Sequence, residues 1–336
     1  VDRFFYNIDV VGMGQCNLRC PSCPVGNMRV VANPMGLMDP EILRAVMVKA
    51  TSEAIVTGVG LYNFGEPLLH PQLPELVRIV RSFGVACNLS SNLNFVRDLD
   101  ELMLAGPSEL RVSLSGFTQE VYGRTHVGGD IDVVKANMKA VAEAKERTGA
   151  STVLEVVYHR YRGNLDEEIA MRTYALSLGY RFTPVWALLV ALEKVLAYDQ
   201  HDPSLAVLTE DDHALLERLV VPLPEALEIA KRHRSDPCTL LEDQVTLDFR
   251  GDVMLCCAVY DANKYKIASY LQTPIDVIQG RKKAHAMCGT CTKSGGHVYV
   301  TFGAPEFNDV SVQKLFTYYA AHLQQSPAYT TAPADP

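Results

Sequence analysis

The chain has 336 residues, of which 48% are hydrophobic and 21% charged, with 22 Gly and 18 Pro spread along it; this composition builds an ordinary globular core and leaves disorder to the tails. A formal charge of −8 and a pI near 5.6 exclude the clustered Lys and Arg of a nucleic-acid face, and the short runs KRHR (231–234) and RKK (281–283) read as solvated helix ends. No apolar stretch approaches the roughly 20 residues of a bilayer span and no signal-like start is present, so a cytoplasmic protein without a membrane partner is expected, whose nine cysteines serve metal or catalysis rather than disulfides.

In chain order, FFYNIDVVG reads as a strand, PEILRAVMVKA as a helix, AIVTGVGLYNF as a strand and PQLPELVRIVRSF as a helix. VACNLSSN, a helix over 97–105, ELRVSLSG and a helix over 131–147 follow, and TVLEVVYH, a helix over 166–178 and YRFTPVW close the series. This rhythm predicts an α/β fold, a partial (β/α)6 TIM-like barrel with its active groups at the C-terminal ends of parallel strands. From 187 to about 236 the rhythm gives way to helices and loops that bridge or cap. QVTLDFRGDVML then reads as a β-hairpin turning at Gly251, and the last stretch, SPAYTTAPADP, as a tail. The expected divisions are 1–190 for the barrel, 191–235 for the bridging segment, 236–295 for a small hairpin-containing module, and 296–336 for a C-terminal helix and tail.

Directly behind the first strand, CNLRCPSCP sets Cys16, Cys20 and Cys23 at C-x3-C-x2-C spacing. A structural zinc site closes its shell with four protein ligands. A 4Fe–4S cluster held by three thiolates keeps one iron open for a small molecule. NFGEPLLHP, at the end of the second strand pattern, puts Gly65 and Glu66 at a strand terminus, where a carboxylate and bare backbone can accept from an ammonium group. Side chains two apart share a face of a strand. In ELRVSLSG this packs Leu110, Val112 and Leu114 on helices and turns Arg111, Ser113 and Ser115 inward. The same alternation turns Asn88, Ser90 and Asn92 inward, Cys87 outward, and Glu155, Val157 and His159 inward.

A second set, Cys238, Cys256, Cys288 and Cys291, surrounds the hairpin with the spacing C-x12-G-x4-C and C-x2-C. The turn brings Cys238 and Cys256 together across two strands, and a C-x2-C loop closes the shell. Four thiolates complete a site. A zinc ribbon normally shows two C-x2-C knuckles, and this chain has one.

The first cysteine motif and the GEP element resemble those of the radical SAM superfamily, and the second set resembles the twitch domain, the short form of the SPASM domain. Phe64 replaces the first glycine of the usual GGEP, and Ser22 stands where many members carry an aromatic residue. FTQEVYGRTHVGGD resembles the start of a helix in SPASM-type relatives, with His126 where many have Arg.

The resemblance implies two 4Fe–4S clusters, the first on Cys16, Cys20 and Cys23 and an auxiliary one on Cys238, Cys256, Cys288 and Cys291. It implies S-adenosylmethionine (SAM) as cofactor, with Gly65, Glu66, Asn92, Ser113 and Ser115 around it, and a flavodoxin- or ferredoxin-type electron donor. SAM would be cleaved reductively to a 5′-deoxyadenosyl radical that abstracts a substrate hydrogen atom. With the auxiliary cluster as electron acceptor, a small polyol, sugar or peptide would be oxidised, as in the twitch-type aminocyclitol dehydrogenases that the layout resembles. Glu155 and His159 are the substrate-site candidates. Two alternatives stand beside oxidation: epimerisation with Cys257 as hydrogen-atom donor, and peptide maturation by crosslinking.

Overall fold

The computed structural model describes residues 2–28 and 31–325; the expected tail from Ser326 onward lies outside the described residues. Six parallel strands alternate with helices: β1 (Arg3–Ile8), β2 (Ile55–Gly60), β3 (Cys87–Ser91), β4 (Glu109–Leu114), β5 (Val153–Arg160) and β6 (Arg181–Trp186). Three more follow, β7 (Gln244–Leu247), β8 (Asp252–Met254) and β9 (Lys266–Ser269). All belong to one sheet in the order β6-β5-β4-β3-β2-β1-β7-β8-β9.

The alternation read from the sequence is the alternation of the sheet. Leu110, Val112 and Leu114 of β4, with Leu154, Val156 and Tyr158 of β5, are buried in the core beneath the helices, and Cys87 of β3 joins them there. The helix Ile131–Thr148 shows how the outer layer is specified. Asp130 caps it by accepting from the amides of Asp132 and Val133, its buried stripe is Ile131, Val134, Met138, Val141 and Ala144, and Gly149 ends it.

The hairpin is joined to the barrel more closely than its sequence suggests. β7 pairs in parallel with β1, Phe5 opposite Gln244 and Ile8 opposite Leu247, so the hairpin extends the barrel sheet. Gly251 takes the turn at φ 76°, a conformation that favours glycine. The antiparallel β9 follows a four-residue helix, Ala262–Tyr265, and packs on β8. Beyond it, the Tyr270 hydroxyl meets that of Tyr6 on β1 at 2.7 Å inside the core.

The bridging region forms three helices, Leu192–Gln200, Glu210–Arg218 and Leu223–Arg232. The first is a strut between the two cysteine regions. The buried Glu193 accepts from the amides of Tyr260 (2.8 Å) and Asp261 (3.2 Å), just past Cys256. The buried Lys194 donates to the carbonyl of Asn27, just past Cys23, at 2.8 Å and pairs with Asp212 at 2.5 Å. A long helix, Glu306–Gln325, follows. Among the described residues no helix is long and apolar enough to cross a membrane.

Candidate functional site

The C-terminal ends of the six parallel strands open onto one cavity of about 410 Å³. Each strand contributes the residues that follow it: Cys16, Cys20, Ser22 and Cys23 after β1; Tyr62, Phe64, Gly65 and Glu66 after β2; Ser90 and Asn92 around the end of β3. Ser113 comes from β4, His159 from β5, Tyr161 from just past its end, and Trp186 from β6. Three cysteines, a glycine-carboxylate loop and a polar rim thus meet where the barrel reading places an active site.

Gly65 is required by close approach. A Cβ there would lie 2.2 Å from Val11 Cγ2 and 2.6 Å from Asp9 Oδ1. Asp9, just beyond β1 and 1% exposed, accepts from Gly65 N at 3.1 Å and from Phe64 N at 3.2 Å. Burial pushes its carboxyl up to about 7, against the pull of those amides. Asp9 therefore clamps the GEP loop. The Glu66 carboxylate is also held by backbone, accepting from Leu68 N at 3.1 Å and Asn92 N at 2.9 Å. Burial pushes its carboxyl up to about 6, with the Asn92, Ser91 and Leu68 hydrogen bonds opposing. Glu66 ties the end of β2 to the end of β3 and still borders the cavity.

The thiols of Cys16, Cys20 and Cys23 are free, half-buried, and raised by burial, Cys16 to about 11 and Cys23 to about 12. Cys20 is raised as well, first by burial and then by the charges of Cys23 and Cys16. Bare thiolates are thus disfavoured here, and a bound metal group is what would deprotonate them. Cys16 Sγ accepts from Leu18 N at 3.4 Å and from Asn92 Nδ2 at 3.6 Å, the N–H to sulfur contacts that tune iron–sulfur centres. Among the described residues no three His, Cys, Asp or Glu converge as ligands of a single ion would. Three soft thiol donors from one loop, on the wall of one cavity and beside the N–H groups of Leu18 and Asn92, are the kind of donor set a 4Fe–4S cluster takes.

Not every predicted residue borders this cavity. Ser115 is buried behind it, 2.7 Å from His126 Nδ1 and hydrogen-bonded to Thr125. Thr125 and His126 line the cavity in its place. Burial, with His159 adding, pushes His126 down to about 3, and burial lowers His159 too, so both imidazoles are neutral at pH 7. Glu155 lies deeper in the barrel, bound to Arg111 at 3.2 Å and Thr183 at 2.6 Å. Cys257 is absent from the lining and places its thiol 3.8 Å from Gln244 Oε1. Sequence reasoning missed Asp9, Tyr62, Tyr161 and Trp186. Tyr161 hydrogen-bonds Ser22, so an aromatic ring reaches the cysteine loop from β5.

The second set also meets. Cys238, Cys256, Cys288 and Cys291 line a narrow apolar cavity with Leu192, Leu240, Leu255, Met287 and Val300. Cys288 and Cys291 sit on the helix Ala286–Ser294 rather than on the expected loop. Their three-residue spacing puts them on one helix face. Cys238 precedes the short helix Thr239–Glu242, and Cys256 follows β8 by two residues. Burial raises all four thiols.

Comparison with known proteins agrees with this geometry. Residues 10–168 match the model of the radical SAM superfamily. The PqqA peptide cyclase of Ruegeria pomeroyi is 31% identical over 173 residues, 50% of this chain and 43% of that protein. This chain spans less than half the length of the curated relatives it matches. Among solved structures, SuiB of Streptococcus suis bound to S-adenosylmethionine superposes with a TM-score of 0.58 at 12% identity, over 87% of this chain and 72% of that one. anSMEcpe with bound AdoMet gives 0.56 at 14% identity, over 96% and 98%. SAM and a 4Fe–4S cluster are the cofactors of such a domain. With its three-cysteine loop, GEP element and parallel half-barrel in place, the chain carries over residues 10–168 a domain that matches the radical SAM superfamily.

Proposed function

We propose that this enzyme oxidatively modifies a peptide and that the second cysteine set holds an auxiliary 4Fe–4S cluster as one-electron acceptor. The observation that carries the reading is the pairing of a roomy cavity holding three thiols and several polar side chains with a narrow, almost wholly apolar one holding four. A fully ligated cluster has no open iron for substrate, which suits electron transfer. The peptide is supported by the named activity of the Ruegeria pomeroyi relative, and the fold admits one, since SuiB has been solved with its precursor peptide SuiA. This favours peptide maturation over the polyol or sugar oxidation that the twitch resemblance suggests.

Cys16, Cys20 and Cys23 would hold the first cluster, which when bound with SAM supplies reductive cleavage of the sulfonium and, through it, hydrogen-atom abstraction. Asp9 fixes the GEP loop, Glu66 joins that loop to β3, and Asn92 donates toward Cys16. Tyr62, His159 and Trp186 line the same cavity and form the wall that a substrate would meet. Epimerisation would need a hydrogen donor at the substrate, and Cys257 does not border the cavity.

The test is anaerobic reconstitution, then incubation with SAM, dithionite and a peptide library, read by mass spectrometry. The expected result is 5′-deoxyadenosine release coupled to loss of two hydrogens from a peptide. Coupled release with a polyol or sugar and none with peptides contradicts the peptide assignment. Incorporation of one non-exchangeable deuterium per turnover in D2O contradicts oxidation.

A further inference from the structure

The basic run at 281–283 is not a wholly solvated helix end. Arg281 and Lys283 are exposed, but Lys282 turns inward from the helix Ile275–Lys283 and is 0% exposed. Its ammonium donates to the carbonyl of Gln244 at 2.8 Å, with those of Leu241 at 3.4 Å and Leu240 at 3.5 Å completing the cradle. All three belong to the segment leaving Cys238. Among the described residues its hydrogen-bond partners are these carbonyls, with no carboxylate. Burial pulls its ammonium toward the neutral form, and Cys256, Cys288, Cys238 and Cys257, when ionised, oppose that pull.

A buried cation without an anion is strongly unfavourable. The ammonium is fixed against the segment leaving Cys238, on the helix that leads to Cys288, so the thiolates of a cluster bound there would supply its missing countercharge. We infer that Lys282 is a charge-compensating residue of the second site, whose fixed cation offsets the anionic thiolate cage and raises the reduction potential of the auxiliary cluster. This rests on the cluster reading of that site. Adding an electron adds one negative charge, and a cation held in a low-dielectric pocket favours the more negative state. The three carbonyls hold the ammonium in place, so the effect belongs to the charge and its position.

The test is a redox titration followed by electron paramagnetic resonance, on the full chain carrying Cys16→Ala, Cys20→Ala and Cys23→Ala, so that the second cluster titrates alone. Lys282→Gln is expected to cut the reduced-to-oxidised ratio at fixed potential at least tenfold, a midpoint about 59 mV more negative for a one-electron couple. Lys282→Arg, which keeps the charge, should move it by less than a third of that. Where Lys282→Gln does not yield folded protein, Lys282→Met is expected to give the same shift. A neutral variant that binds about four irons per chain with the parent's midpoint overturns the inference. A parent that binds no iron overturns the cluster reading itself, and the iron count tells the two failures apart.

Discussion

The two cysteine sites are built on opposite terms. The first borrows its three thiols from a loop at the mouth of the barrel, beside a cavity lined with Glu66, Asn92, Ser113 and two histidines. The second takes four thiols from three separate segments and surrounds them with leucine, methionine and valine. Their cations differ in the same sense. Arg19, beside the first set, is exposed and donates to the carbonyls of Cys16 and Leu18, whereas Lys282 is sealed in. A roomy site with polar side chains suits a group that must accept a small molecule, and a narrow apolar one suits a group that exchanges only electrons. What separates them physically is the strut Leu192–Gln200, which ties to the chain just past Cys23 on one side and just past Cys256 on the other.

If the sites are independent, iron counting separates them first. Reconstituted wild type should hold about eight irons, and replacing either Cys16, Cys20 and Cys23 or Cys288 and Cys291 by Ala should remove about half. A near-total loss from one set alone would mean the two sites fold as one. The next effect belongs to the first site only. Gly65→Ala drives a methyl into Val11 and Asp9 and should cost about 1–3 kcal/mol of overpacking, seen as a SAM requirement raised about tenfold or more with iron intact. Glu66→Gln is expected to act in the same direction but less, since the amide keeps one acceptor and sets an NH2 against an N–H. Unchanged SAM affinity in both would remove the GEP loop from the site.

The last effect is on stability, away from the chemistry. The Asp9 carboxyl is raised in the folded chain from 3.8 to about 7, so the folded state holds its proton more tightly than the unfolded one. Asp9 is therefore neutral on stability below about pH 4, and stability falls as pH rises from there to about 7. Urea denaturation of the metal-free chain should show that slope reduced in Asp9→Asn. An equal slope in both would show that Asp9 keeps an ordinary acidity.

The cysteine spacings and the strand alternation were legible because both are local. Leu110 and Val112 fall on the helix side and Ser113 on the cavity side, as period two requires. What was hidden depends on contacts across the chain. Asp9 reads as one polar residue in an apolar run, and only its distance to Gly65 shows it as a clamp. Tyr161 is far in sequence from Ser22, its partner. Ser115 shares the inward face of β4 with Ser113 but lies past the strand's end, where the chain has turned and His126 covers it. β9 is four residues long with no alternation to mark it, and the pairing of β7 with β1 joins segments more than 200 residues apart. The C-x2-C pair reads as a knuckle, yet its surroundings, AMCGTCTKS, form a helix capped by His285, whose ring accepts from Met287 N.

The central claim is that the two cysteine sets do different work, and 5′-deoxyadenosine release from SAM under dithionite measures it most directly. Wild type, the Cys16, Cys20 and Cys23 variant and the Cys288 and Cys291 variant would be reconstituted anaerobically and assayed side by side, with folding checked by circular dichroism. The account predicts release by wild type and by the Cys288→Ala, Cys291→Ala protein, and none by the Cys16→Ala, Cys20→Ala, Cys23→Ala protein. Release that survives loss of the first set, or that vanishes with the second set in a folded protein, would contradict it.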